Sequence, residues 1–198
     1  MTVRKSKYKI TIIEGSVRPD NYTSKAISIA VDEIKKHRQF SYEIIDPRRL
    51  QLPLPGQKDS SSQAKSLQNK VRQAEGIILA TPEYHGSYSS VIKLIIDNLG
   101  YPSVLAGKPI ALLGVASGKI GAIKALEHLR SVCAHVGGMV LPGIVSIAQV
   151  EKLFDDHGRC LDRVIEQRIR RMSDELVRYI QRHRCPEKTW EEVTREAE

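Results

Sequence analysis

Short apolar runs alternate along this chain with longer segments in which apolar residues recur every three or four positions. A β-branched run at 10–13 predicts a buried strand at 9–14. Apolar residues at helical spacing follow and predict a helix from about Thr23 to His37. The same patterns predict strands near 42–45, 76–80, 109–115 and 139–144, and helices around 64–74, 89–99, 123–132 and 161–180.

Five predicted strands therefore alternate with five predicted helices. This order is typical of an α/β domain in which helices cover both faces of a parallel sheet. Right-handed crossovers favour the strand order 2-1-3-4-5, with strands 1 and 3 adjacent at the switch point, where ligands bind beyond the strands' carboxyl ends. We predict a single domain over residues 1–184, followed by a polar C-terminal tail at 185–198.

The loop after strand 1 runs from Gly15 to Ser24 and is rich in small and hydroxylated residues. It leads into the first helix, whose N-terminus presents unpaired N–H groups and the positive end of the helix dipole. The hydroxyls of Ser16, Thr23 and Ser24 and the guanidinium of Arg18 are expected to face the same space, which favours a phosphate site. The alternative is that Thr23 or Ser24 only caps the helix.

Two further loops, at 81–87 and 116–121, follow strands 3 and 4 and are expected to open at the same edge. Neither the Walker pattern nor G-x-G-x-x-G occurs in the first loop, which argues against ATP and against the usual dinucleotide site. Spacing alone thus predicts a phosphate at the first loop and a flat or polar group against the other two. No metal-ligand spacing is evident, and no metal is predicted.

The third predicted helix, from Val91 to Leu99, has almost no polar face. Such a helix must be buried on two sides. Packing against a second copy of the chain is the simplest way to bury the side that faces away from the sheet. We therefore expect a homo-oligomer formed through this helix. The alternative is burial within the chain itself.

Composition narrows the class of protein further. The chain has 198 residues, 41% of them hydrophobic, and a formal charge of +8. A basic surplus attracts anions, but a solvated basic surface is the simpler explanation of the charge. The sequence has no nucleic-acid-binding motif, which argues against nucleic-acid binding as the function. The three cysteines, Cys133, Cys160 and Cys185, are widely spaced. With no secretory signal or membrane span evident, we expect a cytoplasmic protein with reduced thiols.

The three loops together resemble one known family. Gly15-Ser16-x-Arg18, Pro82-Glu83-Tyr84-His85-Gly86-Ser87 and Ser117-Gly118-x-x-Gly121 are similar to motifs of the NADPH-dependent FMN reductases, which include quinone, azo and chromate reductases. The resemblance implies a flavodoxin-like three-layer sandwich with FMN as cofactor. It also implies the cofactor-binding residues Ser16, Arg18, Tyr22, Thr23, Ser24, Pro82, Glu83, Tyr84, His85, Gly86, Ser117, Gly118 and Lys119.

The implied reaction is a ping-pong transfer of electrons from NADPH, or NADH, through FMN to a small flat acceptor such as a quinone, an azo compound or free flavin. No side chain is expected to act as a catalytic acid or base, because the cofactor supplies the redox chemistry. An alternative is a flavin-binding electron carrier or redox sensor without NAD(P)H turnover. A flavodoxin-type carrier is usually acidic, and the charge of +8 argues against it.

Overall fold

The computed structural model describes residues 8–183. Its strands are β1 (Tyr8–Glu14), β2 (Phe40–Ile45), β3 (Gly76–Tyr84), β4 (Ser87–Tyr88), β5 (Pro109–Val115), β6 (Met139–Val140) and β7 (Val145–Ile147). The parallel order is β2-β1-β3-β5-β6, with β7 also on β5 and β4 antiparallel to β3. The predicted fold class is confirmed, although the sheet has more strands than the five expected.

Residues 8–183 contain five α-helices: α1 (Tyr22–Lys35), α2 (Gln63–Arg72), α3 (Ser90–Asp97), α4 (Ile123–His135) and α5 (Arg163–His183), the last of which follows β7. Alternate strand residues face opposite sides of the sheet. Ile78 and Leu113 belong to a core shared with α1 and α5, whereas Ile77 and Leu112 belong to a core shared with α2, α3 and α4. Helices therefore bury both faces of the sheet, as a parallel sheet requires.

Two strand predictions need correction. Only Met139 and Val140 of the predicted strand at 139–144 form a strand, β6, because Pro142 lacks an N–H for the ladder and Gly143 has a φ of +83°; pairing with β5 resumes after them in β7. Strand β3 continues past Ala80 to Tyr84 and turns back at His85 and Gly86, both with positive φ. A two-residue turn of this type matches the twist of a tight hairpin, so the predicted second loop is mainly a β3–β4 hairpin.

Three helix predictions also need correction. Ile123 was expected to face inward but is 45% exposed, and Leu161 is 65% exposed and precedes α5. In α3 the chain's own core buries Ile92, Ile95 and Ile96, and it also buries Leu99 just after the helix. The opposite side of α3 carries an ion pair between Lys93 and Asp97 at 2.7 Å. Helix α3 thus has a polar side that its sequence pattern did not reveal.

Within residues 8–183, no helix combines the length and the apolar character needed to cross a membrane. Cys133 is buried in α4, as expected for a packing residue. The predicted tail at 185–198 and Cys185 lie outside the described residues.

Candidate functional site

The first loop leaves β1 through a position that only glycine fits. The backbone N–H of Gly15 donates to the Ala80 carbonyl at 2.7 Å, and Ser89 Oγ donates to the Gly15 carbonyl at 2.7 Å. A Cβ atom at Gly15 would lie 2.6 Å from Ile92 Cγ1 and 2.7 Å from the Ala80 oxygen. Distances this short leave no room for a side chain at position 15. Gly15 therefore fixes the loop directly above the junction of β1 and β3.

Asn21 caps the helix that follows this loop. Its Oδ1 accepts a hydrogen bond from the Ser24 N–H at 2.9 Å, and its Nδ2 donates to the Arg18 carbonyl at 2.8 Å. The alternative that Thr23 or Ser24 is the cap is therefore wrong. The remaining N–H groups of the first turn, at Tyr22 and Thr23, have no acceptor within the helix. They are available to an anion at the helix N-terminus.

The buried hydroxyls of Thr23 and Ser16 differ in their hydrogen bonding. Thr23 is 1% exposed, and its Oγ1 has no hydrogen-bond partner among residues 8–183. Ser16 is also buried, and its Oγ accepts only a long bond from the Arg18 N–H at 3.4 Å. A buried hydroxyl without a hydrogen-bond partner destabilises the folded chain unless a ligand provides that partner. The Thr23 hydroxyl at a helix N-terminus therefore fits a phosphate group.

The hydroxyl of Ser24 has an internal partner that the sequence did not suggest. It donates a short hydrogen bond to Glu14 Oε1, and the same oxygen accepts from Asn21 Nδ2 at 2.9 Å. Glu14 is 3% exposed at the end of β1. The one signal for Glu14 in the sequence is a carboxylate directly after the β-branched run at 10–13. Ser24 can contribute to an anion site only through groups other than this hydroxyl.

Aromatic contacts join the first loop to its neighbours. The Arg18 guanidinium lies 5.3 Å from the centre of the Tyr84 ring, which links the loop to the β3–β4 hairpin. The Tyr22 ring packs 6.2 Å from Phe154 and lies 4.9 Å from Lys25 Nζ. The Tyr22 ring is therefore part of the contact between α1 and the segment that follows β7.

The hairpin is held against the start of α4. Glu83 Oε2 accepts from the Ala125 N–H at 3.1 Å, and Ser146 Oγ accepts from the Ala122 N–H at 2.9 Å. These two side chains cap a helix whose own N-cap residue, Ala122, makes no side-chain hydrogen bond. The Glu83 carboxylate thus has a structural role, while its backbone and that of Tyr84, His85 and Gly86 form the hairpin tip. Pro82 lies within β3, before this turn.

The third loop is open to solvent. Ser117, Gly118, Lys119 and Ile120 are all exposed, and Ile120 is 76% exposed. The Ser117 hydroxyl donates to Glu151 Oε1 at 2.7 Å. The space around Gly118 is open to beyond 4 Å.

The segment at 148–162, which we name the return segment, connects two of these loops. Its Gln149 N–H donates to the Gly118 carbonyl at 3.1 Å, and Lys25 of α1 donates to its Asp155 carbonyl at 3.3 Å. A hydrogen bond from the Arg159 N–H, with further help from the Arg159 guanidinium, lowers the pKa of Asp155. The sequence predicted only a polar return here, because these contacts join residues more than 30 positions apart.

Each loop also places an exposed apolar side chain near this edge of the sheet. Val17 is 51% exposed in the first loop, and Tyr84 is 38% exposed at the hairpin. Ile120 and Ile123 are exposed at the third loop and the start of α4. Exposed apolar groups on three neighbouring loops are suited to a flat aromatic ligand.

Comparison with known proteins agrees with this geometry. The family model for NADPH-dependent FMN reductases matches residues 8–152, which include all three loops. The chain is 34% identical over 134 residues to a 2-hydroxy-1,4-benzoquinone reductase of Burkholderia, covering 65% of this chain and 71% of that protein. It is 29% identical over 184 residues to an NAD(P)H-dependent FMN reductase of Pseudomonas aeruginosa, covering 89% of this chain and 97% of that protein.

A similar fold occurs in the flavoenzyme NAD(P)H:(acceptor) oxidoreductase FerB of Paracoccus denitrificans. The TM-score is 0.76 at 22% identity, and the match covers 89% of this chain and 98% of FerB. At this identity the likeness concerns the fold. Taken with the family match and the curated relatives, it leads to one conclusion: this chain belongs to the NADPH-dependent FMN reductase family.

Proposed function

We propose that this chain reduces quinones, azo compounds, free flavin or similar flat acceptors, with NADPH as the preferred electron donor. As a member of its family it is an FMN-dependent NAD(P)H oxidoreductase. The assignment of these electron acceptors goes beyond what membership of the family implies. It is supported by relatives named 2-hydroxy-1,4-benzoquinone reductase and NADPH azoreductase.

One observation carries the assignment of the site. The buried Thr23 hydroxyl lacks a partner among the described residues, and it lies in the first turn of α1, where backbone N–H groups are also unpaired. A phosphate would accept from all of these donors. We therefore assign the FMN phosphate to Ser16, Arg18, Tyr22 and Thr23, with Tyr22 contributing its backbone N–H. Ser24 borders the site, but its N–H and its hydroxyl already donate to Asn21 and Glu14.

The ring of the cofactor is assigned to the other two loops. Backbone groups of Glu83, Tyr84, His85 and Gly86 would meet one edge of the ring, with Pro82 shaping the strand before the turn. Ser117, Gly118 and Lys119 would close the other side. When bound, FMN supplies the two-electron redox chemistry, and the protein supplies position and charge. Backbone N–H groups at these loops would stabilise negative charge on the reduced ring.

The exposed apolar side chains of the three loops form a surface to which the acceptor would bind. Val17, Tyr84 and Ile120 are exposed around the proposed ring position, and flat aromatic molecules bury apolar area against such groups. The exposed Lys119 and Arg18 are cations at the same rim. They favour anionic groups such as the 2′-phosphate of NADPH. A lower KM for NADPH than for NADH is the expected result, and equal KM values would refute this preference.

We further propose that two copies associate through α3. A groove of about 630 Å³ lies between α3 and α4, lined in part by Ile96 and Val132, and the Tyr101 side chain beside it is fully exposed. A second copy is the simplest cover for these apolar groups. Sedimentation analysis should show a dimer that Tyr101→Glu weakens, while Tyr42→Glu on strand β2 does not. A monomeric wild-type chain would refute the proposal.

Two other expectations remain proposals. We propose that residues 1–184 form one domain with a separate tail at 185–198. We also propose that the protein is cytoplasmic, which is supported by Cys133 and Cys160 being free thiols.

The test of the function uses the purified chain. Oxidation of NADPH is followed with FMN and a benzoquinone present, and again with either one omitted. We expect turnover that needs FMN and that becomes faster when the quinone is added. A chain that takes up FMN but never oxidises NADPH would be an electron carrier, and this outcome would contradict the enzyme assignment.

A further inference from the structure

Glu14 lies beside the helix N-terminus to which the phosphate is assigned. It is the last residue of β1, and its side chain is 3% exposed. Its Oε1 accepts from Asn21 Nδ2 at 2.9 Å and from the Ser24 hydroxyl. Asn21 is the N-cap of α1, and Ser24 lies in its first turn. The carboxylate is therefore bound to the same helix N-terminus that would receive the phosphate.

No cation of the described residues contacts the Glu14 carboxylate directly. Among residues 8–183 no ion pair within 4 Å reaches Glu14, and its Oε1 accepts its two hydrogen bonds from the neutral side chains of Asn21 and Ser24. Arg48 borders the same cavity of about 440 Å³, but its guanidinium binds both carboxylate oxygens of Asp46, at 2.8 and 3.1 Å. The Arg18 guanidinium faces the Tyr84 ring. The direct partners of Glu14 are thus the two neutral donors and the positive end of α1, and Arg48 adds only a longer-range attraction.

We propose that Glu14 is a built-in competing anion that weakens the binding of the FMN phosphate, so that FMN exchanges freely instead of staying permanently bound. The inference rests on the proposed function, because it concerns the site assigned there. Two anions at one helix N-terminus repel each other, and water screens this repulsion poorly at a buried carboxylate. Because Glu14 is part of the fold, the ligand phosphate bears the penalty.

The penalty depends on the phosphate and not on the ring. Riboflavin has the same ring system as FMN without the phosphate, so the repulsion should leave its affinity unchanged. The ratio of the two dissociation constants therefore isolates the effect of Glu14. A purely structural role of Glu14 would change both affinities together.

The test compares FMN and riboflavin binding, measured by flavin fluorescence without NADPH, in the wild-type chain and three variants. Glu14→Gln keeps the shape and an accepting oxygen but removes the charge. It should tighten FMN binding at least about threefold and leave riboflavin binding unchanged. Ser24→Ala removes one hydrogen bond to Glu14 but keeps the charge, so it should not raise the preference for FMN.

Thermal unfolding without ligand shows whether the Glu14→Gln variant folds. If it does not, Glu14→Ala is a second variant that lacks the charge. It should also raise the preference for FMN over riboflavin. An unchanged or lower preference in the folded charge-free variants would overturn the proposal, and so would an equal rise in Ser24→Ala. A wild-type chain that binds neither flavin would instead refute the proposed function, and the role of Glu14 with it.

Discussion

Thr23 and Ser24 are adjacent hydroxyl residues in the first turn of α1, yet only one of them is free to bind a ligand. The sequence placed both at the phosphate because helix spacing cannot show which donor already has a partner. Ser24 donates to Glu14, ten positions earlier, whereas the Thr23 Oγ1 has no partner among the described residues. Asn21, which the sequence analysis did not name as the cap, provides the capping oxygen.

Replacing Thr23 with Val removes this hydroxyl without changing the shape of the side chain. We expect FMN binding to weaken by about tenfold, because a hydrogen bond to a charged group is lost, while riboflavin binding is unchanged. Fluorescence titration measures both affinities. The matched control is Thr11→Val in β1, which also removes a buried hydroxyl without a partner but lies three residues before the end of the strand. Equal effects of both variants on FMN would contradict the assignment.

Cys133 should be unreactive in the folded chain. Burial raises the pKa of its thiol to about 12, so almost no thiolate forms near neutral pH. Burial is also the main cause of the raised pKa of Cys160, although that side chain is partly exposed. Alkylation followed by peptide mass spectrometry should label Cys133 only after denaturation. Rapid labelling of Cys133 in the native chain would contradict its packing.

At the scale of elements, periodicity predicted most of the chain because the strands and helices bury regular faces. Strand β5 has the predicted bounds, α1 buries its apolar positions, and α5 buries its apolar stripe from Ile169 to Ile180. The β3–β4 hairpin and the caps of α4 could not be predicted in this way. They depend on contacts such as Glu83 with the Ala125 N–H and Ser146 with the Ala122 N–H, which join residues 42 and 24 positions apart.

The loop before α4 offers a matched pair of glycines. Gly121 has a φ of +78°, and a Cβ atom there would lie 2.5 Å from Ser146 Oγ, an oxygen that caps the helix. Gly118 has open space around it. Gly121→Ala should therefore lower the free energy of unfolding by about 1–3 kcal/mol, while Gly118→Ala changes it little. Urea unfolding measures both, and equal stability of the two variants would refute this account of the loop.

For the molecule as a whole, paired charges account for part of the basic surface. Arg170, Arg171 and Arg178 of α5 each pair with an acid one turn away on the same helix, as expected of a solvated face. Another network links the sheet to α2, because Glu43 of β2 binds Lys9 and Lys70. Burial alone would raise the pKa of Glu43, but hydrogen bonds from Lys70 and Lys9 outweigh it and lower the pKa.

These networks predict acid sensitivity. Glu33, Glu43 and Asp46 have lowered pKa values in the folded chain, so their stabilisation is present above the unfolded pKa values of about 4. It is lost as the pH falls through the lower folded values. Thermal unfolding from pH 7 to pH 3 should show a falling midpoint below about pH 4. Glu43→Gln should reduce that fall, and an identical pH profile would contradict the role of Glu43.

The most direct measurement is a crystal structure of the chain with FMN. It should place the phosphate at the first turn of α1, within hydrogen-bond distance of Thr23 Oγ1, and the ring between the β3–β4 hairpin and the loop at Ser117–Lys119. Arg18 and Tyr84 should border the ligand. A structure in which FMN binds elsewhere, with the Thr23 hydroxyl still lacking a partner, would contradict the account.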